Sequence, residues 1–233
     1  MFEALDQLLA ATALFVCAHF LLSSRALRAP LAARLGPQAF LGVYSLVVGI
    51  AFVWMLMAYG SAPYITLWTS PLWLHWLPAT VMPVALLLAV CGLTTPSPTI
   101  VGGDRTILES GADPAPGMLR VTRHPFLWGV ALWAVSHMVV NGDVKSLILM
   151  AGLLVLALGG MWHIDRRRAA TLGAAWDPIA LITSVLPFRA ILEARTTPDW
   201  PAIGWWRPAL ALAIYLVLLA LHETIFGVSA WPL

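Results

Sequence analysis

The sequence predicts an all-α, polytopic integral membrane protein of about six transmembrane helices in a bundle, and three observations lead there. Hydrophobic residues make up 61% of the chain and charged residues only 10%, with a mean hydropathy of +0.86. Six apolar segments run over residues 4–24, 39–59, 72–93, 125–140, 144–164 and 209–228. Twelve of the 13 Lys and Arg residues fall in three of the five loops between those segments.

Crossing a hydrocarbon core of about 30 Å takes around 20 helical residues at about 1.5 Å each. Five segments meet that length, and the fourth, which starts at Pro125, needs its flanks to do so. The loop after the first segment carries Arg25, Arg28 and Arg34, and the loop after the third carries Arg105, Arg120 and Arg123. The loop after the fifth carries Arg166, Arg167, Arg168, Arg189, Arg195 and Arg207, which leaves Lys145 alone on the other side. Basic loops mark the cytoplasmic face, so the chain is expected in the inner (cytoplasmic) membrane as a multi-pass protein with both termini periplasmic.

The first segment is read as a retained helix, because Glu3 and Asp6 stand where a leader would carry positive charge. Trp68, Trp73 and Trp76 at the outer end of the third segment, and Trp200, Trp205 and Trp206 before the sixth, suit the aromatic belts of a bilayer. Residues 94–124 are rich in Pro, Gly and Thr and read as an irregular loop. Within residues 165–208, the stretch LITSVLPFRAILEA has the apolar spacing of a helix lying in the inner interface. No repeat or soluble domain interrupts the pattern, so residues 1–233 read as a single transmembrane domain. Cys17 and Cys91 both lie within spans and imply no disulfide framework. A net charge of +2 is accounted for by topology and gives no reason to invoke nucleic acid.

Chemistry is left to six histidines: His19, His75, His124, His137, His163 and His222. Polar groups inside spans are costly and are functional candidates by default. His75 and His163 sit at segment ends and read as interfacial, and His222 with Glu223 suits helix packing. His19 and His137 lie inside apolar runs, CAHFLLSS and WAVSHMVV. No two histidines are three or four residues apart, so a zinc cluster is not indicated. Covalent haem attachment lacks its CxxCH motif. Noncovalent haem needs one His from each of two helices and anion partners for its propionates, and His19 with His137 meets that minimum, although each also suits packing. On the expected spans the two histidines differ in height by roughly 4 to 10 Å. In VTRHPFLWG, Pro125 suits a first helical turn. Arg123 and His124 then stand at the positive end of the fourth helix, a ready anion site for a propionate, a phosphate or a lipid headgroup.

Four stretches, AHFLLSSRALRAPLAARLG, YSLV with AYG, VTRHPFLWGVALWAVSHMVVNGD and TSVLPFRAI, resemble the NnrU family over nearly the whole chain. That family takes its name from a gene linked to nitrite and nitric oxide reduction in denitrifying bacteria. It is similar to the 15-cis-zeta-carotene isomerases, integral membrane enzymes that use haem b. The resemblance implies noncovalent haem b with His19 and His137 as metal ligands, and an apolar small-molecule substrate such as a carotenoid besides the membrane lipids. Arg123, His124 and Trp133 would complete the cofactor site. No catalytic group is assigned. The isomerases carry a cysteine shortly before the downstream ligand, where this chain has Ala134.

RHPFLWG also resembles an element of the isoprenylcysteine carboxyl methyltransferases, which use S-adenosylmethionine. The paired glutamates that follow in those enzymes are absent from HIDRRRAATLGAAWDP. A haem-free accessory membrane protein is the third class. Ser23 and Asn141, one turn after each histidine, are expected to orient His19 and His137. Gly129, Trp133, His137 and Asn141 form one helical stripe, with Gly129 suited either to a flat ring or to close helix packing.

Overall fold

In a computed structural model that describes residues 2–100 and 113–231, the chain is helical throughout apart from its connections. The principal helices are α1 (Phe2–Ser23), α2 (Arg25–Leu35), α3 (Pro37–Ser61), α4 (Trp76–Thr94), α5 (Pro125–Asn141), α6 (Val144–Leu172) and α7 (Trp206–Phe226). Five helical stretches, which include α1, α3, α4, α6 and α7, are long and apolar enough to cross a membrane. At 17 residues α5 is apolar but shorter. The six expected spans are therefore all helices. Arg105 lies outside the described residues.

Two elements depart from expectation. Residues 25–35, expected as part of a loop, form α2, which Ser24 caps by accepting from the Leu27 N–H and which ends at Gly36 with φ 85°. The expected interfacial helix over LITSVLPFRAILEA is instead broken into Asp177–Ile182 and Arg189–Leu192. Pro187 has no N–H to donate and forces the residue before it away from helical dihedrals. Phe188 then takes φ 64°, so residues 183–188 run irregularly.

The described residues group into two compact units, one of Met1–Pro71 with Ala134–Gly160 and one of Leu72–Trp133 with Met161–Leu233. In the first, Leu8, Ala11 and Phe15 of α1 meet Ala51, Met55 and Ala58 of α3 and Leu149 of α6. These are single stripes at helical spacing, as two apposed helices require. Thr12 of α1 lies on Gly152 of α6, and Phe20 lies on Gly159, where an added Cβ would come within 2.8 Å of the ring. The two helices therefore run side by side in the same direction. At the start of α6, Asp143 is 1% exposed and caps the helix by accepting from the Ser146 N–H at 3.0 Å. The chain at Ile65–Trp68 fastens to this turn through Val144 N–H to Ile65 O and Leu67 N–H to Gly142 O.

In the second unit, Leu88 and Cys91 of α4 pack with Met118, Val121 and Ile203. Arg207 closes the end of α4, with Nε donating to Thr94 Oγ1 at 2.8 Å and Nη2 to its carbonyl. Tyr215 of α7 donates to Ala79 O. Gly129 lets α5 approach α4, because a Cβ there would meet Ala85 O at 2.6 Å and Ala89 N at 3.1 Å. Of the two readings of Gly129, helix packing is the one observed.

Gly129→Ala should therefore lower stability by about 1–3 kcal/mol through overpacking against backbone. Gly49, with open space around its Cβ position, should accept alanine with no loss and a gain of up to about 1 kcal/mol. Thermal unfolding of both variants in detergent tests this, and equal destabilisation would refute the packing assignment.

Candidate functional site

Two polar clusters stand out. The first lies at the arginine-rich end of the second unit, where the sequence places VTRHPF and TSVLPF. Residues 121–123 and 183–188 clasp each other. Arg123 N–H donates to Ser184 O at 2.8 Å and Phe188 N–H to Val121 O at 2.7 Å. Thr122 Oγ1 and Trp128 Nε1 both donate to Val185 O at 2.8 Å. The irregular stretch around Pro187 thus finds the hydrogen bonds that its broken helix forgoes.

Arg123 is built into this clasp. Its Nη1 donates to Asp165 Oδ2 at 2.5 Å, its Nε to Thr183 Oγ1 at 2.7 Å, and its Nη2 to the carbonyls of Ala180 and Thr183. The guanidinium lies 5.1 Å from the Trp176 ring. Burial lowers its pKa, and the Asp165 carboxylate acts in the opposite sense. His124 is 3% exposed, and its Nε2 bonds Asp165 Oδ1 at 2.9 Å. Asp165 therefore serves both residues. Val144 and Asp165 are 21 residues apart on α6, about 31 Å, so this carboxylate stands where the helix has spanned a hydrocarbon core.

The sequence led us to expect Arg123 and His124 as an exposed anion site. The structure corrects this, because Arg123 is 8% exposed and its nitrogens are taken up by a carboxylate, a hydroxyl and two carbonyls. Asp165 was not among the residues singled out. A lone carboxylate closing a long apolar run was the available signal.

The second cluster surrounds His19 in the first unit. Its Nδ1 is 2.9 Å from Phe15 O. A carbonyl only accepts, so Nδ1 carries the proton and Nε2 presents a lone pair. Phe15 packs edge-on at 4.5 Å and 70°, and Tyr44 at 6.0 Å and 83°. The result is a half-buried imidazole with aromatic walls and a fixed tautomer. The orienting partner differs from the one expected. Ser23 Oγ donates to the His19 and Phe20 carbonyls, not to the ring. Helical side chains lean toward the N-terminus, so the carbonyl one turn earlier is the one in reach.

His137 is half-buried, with Ser136 Oγ 3.3 Å from its Nδ1. Asn141, expected to orient it, directs Nδ2 toward Met150 Sδ and offers its carbonyl to Tyr64. Trp133 is half-buried one turn before His137. The structure does not bring His19 and His137 to one level. Each stands four residues before the end of its helix, and α1 and α5 end at opposite faces. With α6 as a ruler, His19 lies near Gly159 through its neighbour Phe20, and His137 lies near the start of α6. The separation along the helix axes is about 12–15 Å, wider than the sequence suggested. Of the remaining histidines, His163 is half-buried on α6. His222 Nδ1 meets Val228 O at 2.7 Å, and His75 precedes α4. Among the described residues no group of three His, Cys, Asp or Glu could hold a metal ion.

A family model described as NnrU protein matches residues 7–230. Two curated relatives, the chloroplastic 15-cis-zeta-carotene isomerases of Zea mays and Arabidopsis thaliana, are 35% and 38% identical to this chain over 79 residues. That stretch covers 34% of this chain and 22% of either relative. No solved structure matches the chain.

Removing Asp165 strands a buried guanidinium, a loss worth about 3–5 kcal/mol for a buried pair. Asp165→Asn should therefore lower the unfolding temperature sharply, and the Arg123→Gln/Asp165→Asn double variant should be milder than the sum of its parts. Additive effects would show that the pair is not coupled.

Proposed function

The chain belongs to the NnrU family, and on that premise we propose that it is a membrane-embedded, isomerase-like protein. Its reaction is the cis–trans isomerisation of a polyene held in the bilayer, with a noncovalent haem b carried on His19. The reading places the protein in the cytoplasmic membrane with both termini periplasmic, as the distribution of Lys and Arg favours. Its chemistry follows that of the two relatives, which are 15-cis-zeta-carotene isomerases. A carotenoid suits a site among apolar helices.

The observation that carries the reading is the state of His19. An iron ligand needs a neutral imidazole whose second nitrogen is held by an acceptor, which fixes the tautomer and raises basicity. The Phe15 carbonyl does this, and Phe15 and Tyr44 supply apolar walls. When bound, haem supplies an iron able to exchange electron density with a conjugated chain. Substrate and product of a cis–trans isomerisation contain the same atoms, so no acid or base is demanded of the protein. His19 holds the iron, the Phe15 carbonyl sets the ring's direction, and the aromatic rings exclude water.

The axial separation of about 12–15 Å argues against His137 as the second ligand, so the reading assigns the iron to His19 alone. Arg123 and His124 are committed to Asp165, so they are not available to a haem propionate or to the carboxylate of S-adenosylmethionine. This also weighs against the methyltransferase reading.

Purified protein should show a Soret band that His19→Ala abolishes and His137→Ala leaves in place. Loss in both variants would restore the paired ligation. Co-expression in darkness with the pathway that makes tri-cis zeta-carotene should convert the pigment to the di-cis form. A haem-loaded protein that leaves the pigment unchanged would overturn the isomerase assignment in favour of a redox or sensing role.

A further inference from the structure

Helix α2 carries three arginines in 11 residues, and no residue of it is buried. Arg25 and Arg34 are exposed, and Arg28 is half-buried with its guanidinium 5.8 Å from the Phe40 ring. Among the described residues none of the three forms an ion pair. The sequence offers no acid nearby, since no Asp or Glu occurs between Asp6 and Asp104. The first unit's own acids, Glu3, Asp6 and Asp143, sit at the start of α1 and the start of α6, at the end remote from α2. Among the described residues, three cations on one short helix thus have no carboxylate partner.

The apolar residues of α2 are arranged to match. Leu27, Leu31 and Leu35 are spaced by four and form one stripe. Leu27 is 41% and Leu35 48% exposed, so both ends of the stripe stay open while Leu31 between them is half-buried. At about 100° per residue, Arg28 and Arg34 lie some 60° to either side of Leu31, and Arg25 lies a further 60° beyond Arg28. An exposed leucine stripe edged by arginines on both flanks is the pattern of a helix lying in the bilayer interface, with its apolar side in the acyl boundary and its cations among the headgroups. Long basic side chains reach the headgroups while their stems stay on apolar surface, as Arg28 does over Phe40.

We propose that α2 is a seat for anionic phospholipid headgroups at the arginine-rich face of the membrane. Arg25, Arg28 and Arg34 neutralise lipid phosphates, and Leu27, Leu31 and Leu35 insert beside the acyl chains. Charge complementarity selects the occupant, because a zwitterionic headgroup carries no net charge for the unpaired arginines to compensate. Attraction of about 1 kcal/mol per basic residue corresponds to about fivefold in lipid preference for each arginine.

The test uses the full chain reconstituted into vesicles of phosphatidylcholine with phosphatidylglycerol, then extracted and weighed with its retained lipids by native mass spectrometry. Wild type should retain phosphatidylglycerol over phosphatidylcholine, with a preference that falls as salt is raised. Arg25→Gln/Arg28→Gln/Arg34→Gln should lose the preference, and the corresponding triple Lys variant should keep it. Equal retention of both lipids by wild type would overturn the proposal, as would an unchanged preference in a Gln variant whose thermal unfolding matches wild type. If the Gln variant does not fold, the salt dependence of wild type decides. Inorganic phosphate should fail to displace the lipid, and displacement at millimolar phosphate would show a site for soluble anions instead.

Discussion

Hydrocarbon offers no hydrogen-bond partners, so every polar group carried into or against it must be satisfied by the protein itself. The Arg123–Asp165 pair, 2.5 Å apart, shows what this constraint does. An arginine at the start of α5 could have faced the headgroups. It is instead turned inward, where it binds the carboxylate of α6, the hydroxyl of Thr183 and the carbonyls of Ala180 and Thr183. A buried pair of this kind is weak support for stability as such, but it specifies one arrangement, because removing either member strands the other. Here it fixes the clasp between residues 121–123 and 183–188, and with it the point where α5 begins.

The same constraint separates the histidines by what their ring nitrogens meet. His124 lies deeper than His19, with 3% of its surface exposed, yet its Nε2 is spoken for by Asp165. His19 is less buried, but its protonated nitrogen faces a carbonyl and its other nitrogen presents a lone pair between aromatic rings. Available valence, more than depth, marks a ligand. By that criterion His19, in the first unit, is the histidine proposed as a ligand, whereas the VTRHPF element is bound into the clasp with residues 183–188.

Much of the fold was legible in the sequence, because apolar runs of membrane length leave few alternatives. All six appear as helices, five of them within a few residues of their expected limits, while α6 runs on to Leu172, eight residues past the expected end. Helix α2 was not legible, since Pro30 and three arginines interrupt its apolar pattern, whereas Ser24 and Gly36 as caps would have given it away. The break at Pro187 was readable from the proline, but the apolar spacing around it outweighed that signal. For the candidate site, His19 was found by its position in an apolar run. Its partner was missed because spacing arguments treat both directions along a helix alike, whereas side chains lean toward the N-terminus. Spacing alone does not couple Arg123 to Asp165, which lies 42 residues away, although a lone carboxylate closing an apolar run marks Asp165 itself.

The central functional claim is that iron is held by His19 alone, with His137 at another level of the bilayer. Electron paramagnetic resonance of the ferric, haem-loaded protein tests it most directly. A high-spin signal should persist in His137→Ala and disappear with the haem in His19→Ala. A low-spin signal that His137→Ala converts to high-spin would contradict that claim and place both histidines on one iron.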